Sequence, residues 1–134
     1  MLIPNKLKYK KHFKGKLKGK TSKGFKIIFG TYAVKVLKEC LLTSNQIESA
    51  RRIIIRKMKH LGFIWIRIFP DIPVTKKPTE NRMGKGKGNF FCFVAKVKKG
   101  QILFEISGFS KEESKKILKA GSNKIPVKTK IILK

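Results

Sequence analysis

The chain has 134 residues, enough for about one domain, and sets 34 Lys and Arg against 7 Asp and Glu, a formal net charge of +27. Charge of that density opposes compaction unless a polyanion or counterions screen it, so an acidic surface is the expected partner. A hydrophobic content of 41% argues against a wholly disordered tail, and no apolar run approaches a membrane span; Phe63-Ile64-Trp65-Ile66, for one, stops at Arg67.

Residues 1–24 form a compositional block with Lys6, Lys8, Lys10, Lys11, Lys14, Lys16, Lys18, Lys20 and Lys23, and no acid occurs before Glu39. Lysine at nearly every second position puts cations on both sides of an extended chain, within reach of phosphates when the chain threads between nucleic-acid helices. Tyr9, Phe13 and Leu17 recur at helical spacing, but Gly15, Gly19 and Gly24 and a thin apolar face disfavour a membrane-surface helix, and no membrane partner is expected. The block lacks the apolar segment of a secretory signal and the Arg/Ser bias of a transit peptide, so it reads as a basic arm of the mature protein.

From residue 25 the composition becomes globular. Residues 25–29 and 32–37 read as two short strands broken at Gly30, the second of which could instead open as helix. Thr43 followed by Gln46 is a capping-box pattern that opens a helix ending before Gly62, with Ile47, Ala50, Ile54, Met58 and Leu61 as its apolar stripe. Its other positions include Arg51, Arg52, Arg56, Lys57, Lys59 and His60; Arg52, Arg56 and Lys59 or His60 share a face, with Glu48 as the local counter-charge. Residues 63–69 alternate with apolar side chains on both faces, which predicts a central strand terminated by Pro70, Asp71 and Pro73. A loop at 80–89 precedes strands at about 90–97 and 101–107, joined as a hairpin through Lys98-Lys99-Gly100. Ser110 with Glu113 is a second capping box, for a helix ending at Gly121, and residues 127–133 give a last strand. The expected fold is α+β: one compact domain, 25–134, of mixed sheet with two helices, carrying the arm 1–24.

The most unusual local sequence is Arg82-Met83-Gly84-Lys85-Gly86-Lys87-Gly88. Alternate glycines allow positive φ and close backbone approach to a partner, with cations between them, which suits a phosphate backbone. The spacing fits neither the dinucleotide fingerprint nor the phosphate-binding loop, since Gly88 leads into a strand. Catalysis has little to draw on. His12 and His60 have no acid, Ser or Cys placed to form a triad-like pair, and the seven carboxylates form no dyad or metal cluster. Cys40 and Cys92 lack ligand or disulfide-framework spacing and are expected as reduced, packed thiols. No cofactor, metal or catalytic residue is expected.

Three motifs occur in order: Leu42-Thr43-x-x-Gln46-Ile47-Glu48-x-Ala50-Arg51-Arg52, Ile64-Trp65-Ile66-Arg67-Ile68-Phe69-Pro70-Asp71-x-Pro73-Val74-Thr75-x-Lys77-Pro78, and the glycine-lysine loop. With the opening Met1-Leu2-Ile3-Pro4 and the closing Lys124-Ile125-Pro126-Val127-Lys128, the whole chain resembles the large-subunit ribosomal protein family numbered sixteen in bacteria. The resemblance implies a hammerhead-like α/β fold and a structural role in the large subunit. It implies binding to 23S-type rRNA near the A site and peptidyl-transferase region, with contacts to A-site tRNA, to P-site tRNA as a further candidate, and to neighbouring large-subunit proteins. Carried across by motif, Arg51, Arg52 and Arg56 become rRNA-facing residues, and Arg82, Met83, Gly84, Lys85, Gly86, Lys87 and Gly88 form the loop towards tRNA or rRNA; Lys59 and the arm lysines are expected to bind rRNA from their charge pattern. The arginine matching Arg82 is one that bacterial members hydroxylate.

The chain departs from the family at several positions. Phe13 stands where the family's arm usually has His, and Asn45, Phe63 and Ile72 replace usual basic residues. Most remaining cations are Lys, which favours point-charge contacts over bidentate ones. Rival readings are a small RNA-processing or RNA-modifying enzyme and a chromatin-like packager; a packager needs neither a mixed core nor the glycine loop. Heavy use of Lys, Ile and Phe, with a plastid-like Phe29-Gly30-Thr31-Tyr32-Ala33-Val34 segment, points to a plastid ribosome, with an AT-rich bacterium or a mitochondrion as alternatives.

Overall fold

The computed structural model describes residues 2–134; Met1, the first residue of the expected arm, lies outside them. Seven strands and two helices follow in the order β1 (Tyr32–Val36), β2 (Cys40–Thr43), α1 (Ser44–Met58), β3 (Phe63–Ile66), β4 (Ile72–Lys76), β5 (Asn89–Val97), β6 (Ile102–Ser107), α2 (Lys111–Ser122) and β7 (Thr129–Leu133). The α+β class and the two helices are as expected. In place of one mixed sheet there are two, ordered β3-β6-β1-β7 and β2-β5-β4, and every strand pairing in both is antiparallel.

Both helices start where their capping boxes place them. The Thr43 hydroxyl accepts the Gln46 N–H at 3.3 Å while Gln46 Oε1 accepts the Thr43 N–H at 3.0 Å, and Ser110 and Glu113 repeat the exchange at α2. In α1 the stripe Ile47, Ala50, Ile54 and Met58 is buried, but Leu61 lies beyond the helix and is exposed. The chain leaves α1 early because Lys59 and His60 turn left-handed, at φ 51° and 62°. In α2, Ser114, Ile117, Leu118 and Gly121 recur on one buried face. Gly121 lies inside this helix instead of ending it, where α1 and α2 pack against each other. A Cβ on it would sit 2.5 Å from Ile54 Cγ1, and Ile54 is fully buried with no room to retreat. Gly121→Ala should therefore lower stability by about 1–3 kcal/mol, despite alanine's better helix propensity; thermal or urea unfolding reads the change.

Four strand expectations are corrected. Residues 25–29 form no strand, because the backbone N–H groups of Ile28 and Phe29, with that of Gly30, turn to the carboxylate of Glu105 instead of a neighbouring strand. β3 is an edge strand, not a central one: Ile64 and Ile66 pack against the core, whereas Phe63 is exposed. The central strands of the first sheet are β6 and β1, and residues 102–106 of β6 are buried throughout. β5 and β6 are not a hairpin. The turn closed by the Gln101 N–H on Lys98 O hands the chain from one sheet to the other, where β5 lies between β2 and β4 and β6 between β3 and β1. Pro73 does not end pairing either, since it lies within β4, an edge strand opposite Phe93 of β5, where a missing donor is tolerated. The core joins both sheets and both helices through Val34, Leu42, Ile54, Val97, Phe104 and Leu118. Among the described residues no helix is long and apolar enough to cross a membrane.

Candidate nucleic-acid interface

The basic face of α1 divides into committed and uncommitted cations. Glu48 is buried at the helix surface; Arg51 donates to it through Nε at 2.9 Å and Nη2 at 2.6 Å, and Arg52 through Nε at 3.0 Å. The Arg51 hydrogen bond, chiefly, with Arg52 added, holds the Glu48 carboxyl at about 2 despite its burial. Arg51 is thus half-buried and occupied bidentately, so it positions the face; Arg52, 74% exposed at its side chain, keeps its outer nitrogens for solvent or a ligand. Arg56 and His60 complete a shallow hollow of about 380 Å³ with Arg51, Arg52 and Ile55. The exposed Lys59 is not among its lining residues, although the next residue, His60, is.

The glycine-lysine loop connects β4 to β5. Gly84, Lys85 and Gly86 take positive φ in succession, at 102°, 53° and 76°. A Cβ on Gly84 or Gly86 would meet nothing within 4 Å, so these glycines serve the left-handed backbone alone, while a Cβ on Gly88 would stand 2.7 Å from the Lys76 carbonyl. Of the three loop glycines, Gly88 alone is therefore needed for close approach to neighbouring backbone. Arg82, Met83 and Lys85 are exposed, Met83 almost completely, and the loop rims a hollow of about 430 Å³ that also takes in Lys77 and one acid, Glu80. Lys77 Nζ donates to Gly84 O and braces the turn.

The arm crosses this loop. Lys11 Nζ donates to Lys87 O at 3.3 Å, Lys87 Nζ donates to His12 O at 2.5 Å, and Lys87 lies over the Phe13 ring at 5.4 Å from its centroid. Residues 2–19 contain no regular secondary structure, and Lys6, Lys8, Lys10, Lys11, Lys14, Lys16, Lys18 and Lys20 are exposed. The arm rejoins the body through a bridge between Lys20 and Lys99, and through Gly24 O, which accepts the Ile102 N–H at 2.9 Å.

Two groupings were not legible beforehand. Lys115, Lys116 and Lys119 of α2 meet Lys128 and Lys130 around a hollow of about 880 Å³ with no carboxylate among its lining residues. The lysines come from two successive segments, α2 and the start of β7, and the turn between them folds the two together around the hollow. The second grouping centres on Glu105, fully buried in β6. Burial alone would raise its pKa, but the amides of Gly30, Phe29 and Ile28, with the Arg67 guanidinium, hold it below the usual carboxylate range. Arg67 is consequently a structural ion pair, not a surface cation. Cys40 and Cys92 are free thiols; burial raises the first to about 11 and pushes the second up as well, so neither is an activated nucleophile.

The arrangement offers clustered point charges and exposed backbone, chemistry suited to phosphate contact and not to bond-making. The family described as ribosomal protein L16p/L10e matches residues 4–132. A large ribosomal subunit protein uL16 from Maricaulis maris is 50% identical over 132 residues, spanning 98% of this chain and 96% of that protein. One of the same name from Allorhizobium ampelinum is 48% identical over the same spans. With the family matched along nearly its full length, the chain belongs to the ribosomal protein L16p/L10e family and is a structural, non-enzymatic ribosomal protein.

Proposed function

We propose that the protein is a constituent of the large ribosomal subunit that binds 23S-type rRNA beside the A site and peptidyl-transferase region and reaches tRNA with the loop at 80–89. The observation that carries the reading is the availability of its charge. Among the described residues the cations in ion pairs are Arg51, Arg52 and Arg67, while the lysines of arm and loop have no carboxylate partner. Neutralising and crosslinking rRNA segments through the arm and the α1 hollow would hold the tRNA-binding cleft in place, with neighbouring subunit proteins around it. Family membership sets the RNA-processing enzyme aside.

The plastid ribosome remains a reading of the segment at 29–34 and of composition alone. The two relatives named above are bacterial, which weighs towards the alternatives, an AT-rich bacterial cytoplasm or a mitochondrion. The decisive experiment combines sedimentation with a loop variant. The protein should travel with large-subunit fractions at physiological salt, and Lys85→Ala with Lys87→Ala should impair tRNA accommodation more than subunit assembly. Absence from those fractions sinks the reading, and loss of assembly alone reassigns the loop to rRNA.

A further inference from the structure

Apart from the cationic surfaces, the molecule exposes a short series of aromatic rings. Phe63 and Trp65 stand two residues apart on β3, with centroids 5.9 Å apart and planes at 32°; Trp65 then stacks on Phe29 at 6.0 Å and 21°. Phe63 is 69% exposed and Phe29 57%, although β3 could have been covered by the core that takes Ile64 and Ile66 from its other face. A contiguous exposed apolar patch of this kind marks an interaction site.

The patch is held rigidly. The Phe29 N–H donates to the Glu105 carboxylate at 2.8 Å, Trp65 is paired opposite Glu105 in the β3–β6 register, and the Arg67 guanidinium lies 5.2 Å from the Phe29 ring centre. The carboxylate beneath is wholly buried and ion-paired, while Lys134 reaches the same segment by donating to Ile28 O at 3.5 Å. Flat π-faces with the exposed Lys134 at the rim match a nucleobase carried on a phosphodiester backbone, while Arg67, held by Glu105, fixes the Phe29 ring from within. A protein partner added as a strand fits poorly, because β3 offers only Phe63–Ile66 before the chain runs to Pro70.

We propose that Phe63, Trp65 and Phe29 form a platform on which an unpaired RNA base stacks, a base-contacting site separate from the phosphate-binding lysines. The site rests on the rRNA-binding reading and adds to it a preference for single-stranded, base-bearing RNA. Trp65 is the chain's one tryptophan, so its fluorescence reports the site directly. The full-length protein is titrated with single-stranded oligoadenylate and with an abasic ribose-phosphate oligomer of equal length. The base-bearing strand should quench Trp65 and bind more tightly. Phe63→Ala, at an exposed position that leaves the fold intact, should weaken oligoadenylate binding roughly fivefold to a hundredfold and leave the abasic oligomer unaffected. Equal affinity and equal quenching for both strands would overturn the platform while leaving the phosphate reading standing; failure to bind either strand would overturn the phosphate reading. In assembled subunits, a benzoylphenylalanine in place of Phe63 should crosslink to rRNA, and adducts confined to protein would also overturn the proposal.

Discussion

Glu105→Ala is expected to cost about 3–5 kcal/mol, seen as a large fall in the urea or thermal midpoint of the free protein. The carboxylate receives N–H groups from Ile28, Phe29 and Gly30 and the Arg67 guanidinium, whose side chain is only 14% exposed. Its removal leaves a nearly buried cation unpaired and strips three amides of their acceptor. Glu105→Gln keeps an acceptor oxygen but not the charge, and should fall between wild type and alanine. A loss below about 1 kcal/mol in the alanine variant would mean that segment 28–30 is held by something else. The same carboxylate sets a pH dependence. Its folded pKa lies below the unfolded value, as does that of Glu48 at about 2, so their stabilisation is complete above the ordinary carboxyl range and is lost as pH falls through the folded values. Acid unfolding should steepen below about pH 4, and Glu105→Ala should flatten that limb.

The second large effect is ionic. If arm, helix and loop together neutralise roughly six to ten phosphates, affinity for rRNA fragments should fall by about 10³ to 10⁵ between roughly 50 and 200 mM salt. The structure refines which residues contribute. Arg56→Ala, which removes an exposed cation with no carboxylate partner, should reduce the salt slope by about one. Arg51→Ala should change the slope little and stability more, because Arg51 is bound to Glu48. A flat salt response would remove the phosphate-contact argument altogether. Equal slopes for the two variants would show that Glu48 releases Arg51 to the RNA.

How much of this could be read in advance depended on whether the signal was local. The capping boxes at Thr43 and Ser110 are local, and both helices begin there. Gly84 and Gly86 were legible as left-handed sites for the same reason, whereas Gly88 takes no positive φ. Residues 25–29 were read as a strand because β-branched and aromatic side chains suit one, yet their amides are claimed by a carboxylate more than seventy residues away. β2, only four residues long, carries too little alternation to notice, and Pro73 hid β4 because a proline signals a stop unless the strand is known to lie at an edge. In the interface, arm and loop stood out by composition. The commitment of Arg51 to Glu48 did not, since an i,i+3 ion pair and a free basic face share the same sequence.

The placement of Pro73 also bears on how the molecule avoids itself. An unpaired strand edge is a template for joining another copy, and two open sheets present four of them. Here two are strands of four residues, Phe63–Ile66 and Cys40–Thr43; a third carries Pro73 and a register shift between Val74 and Thr75; and the fourth, Thr129–Leu133, carries Lys130. Brevity spoils two edges, a missing donor and a register shift together spoil the third, and a charge spoils the fourth. Copies of the chain should therefore resist strand-to-strand fibre growth even where salt or bound polyanion has cancelled their mutual repulsion, the condition under which charge alone would no longer keep them apart.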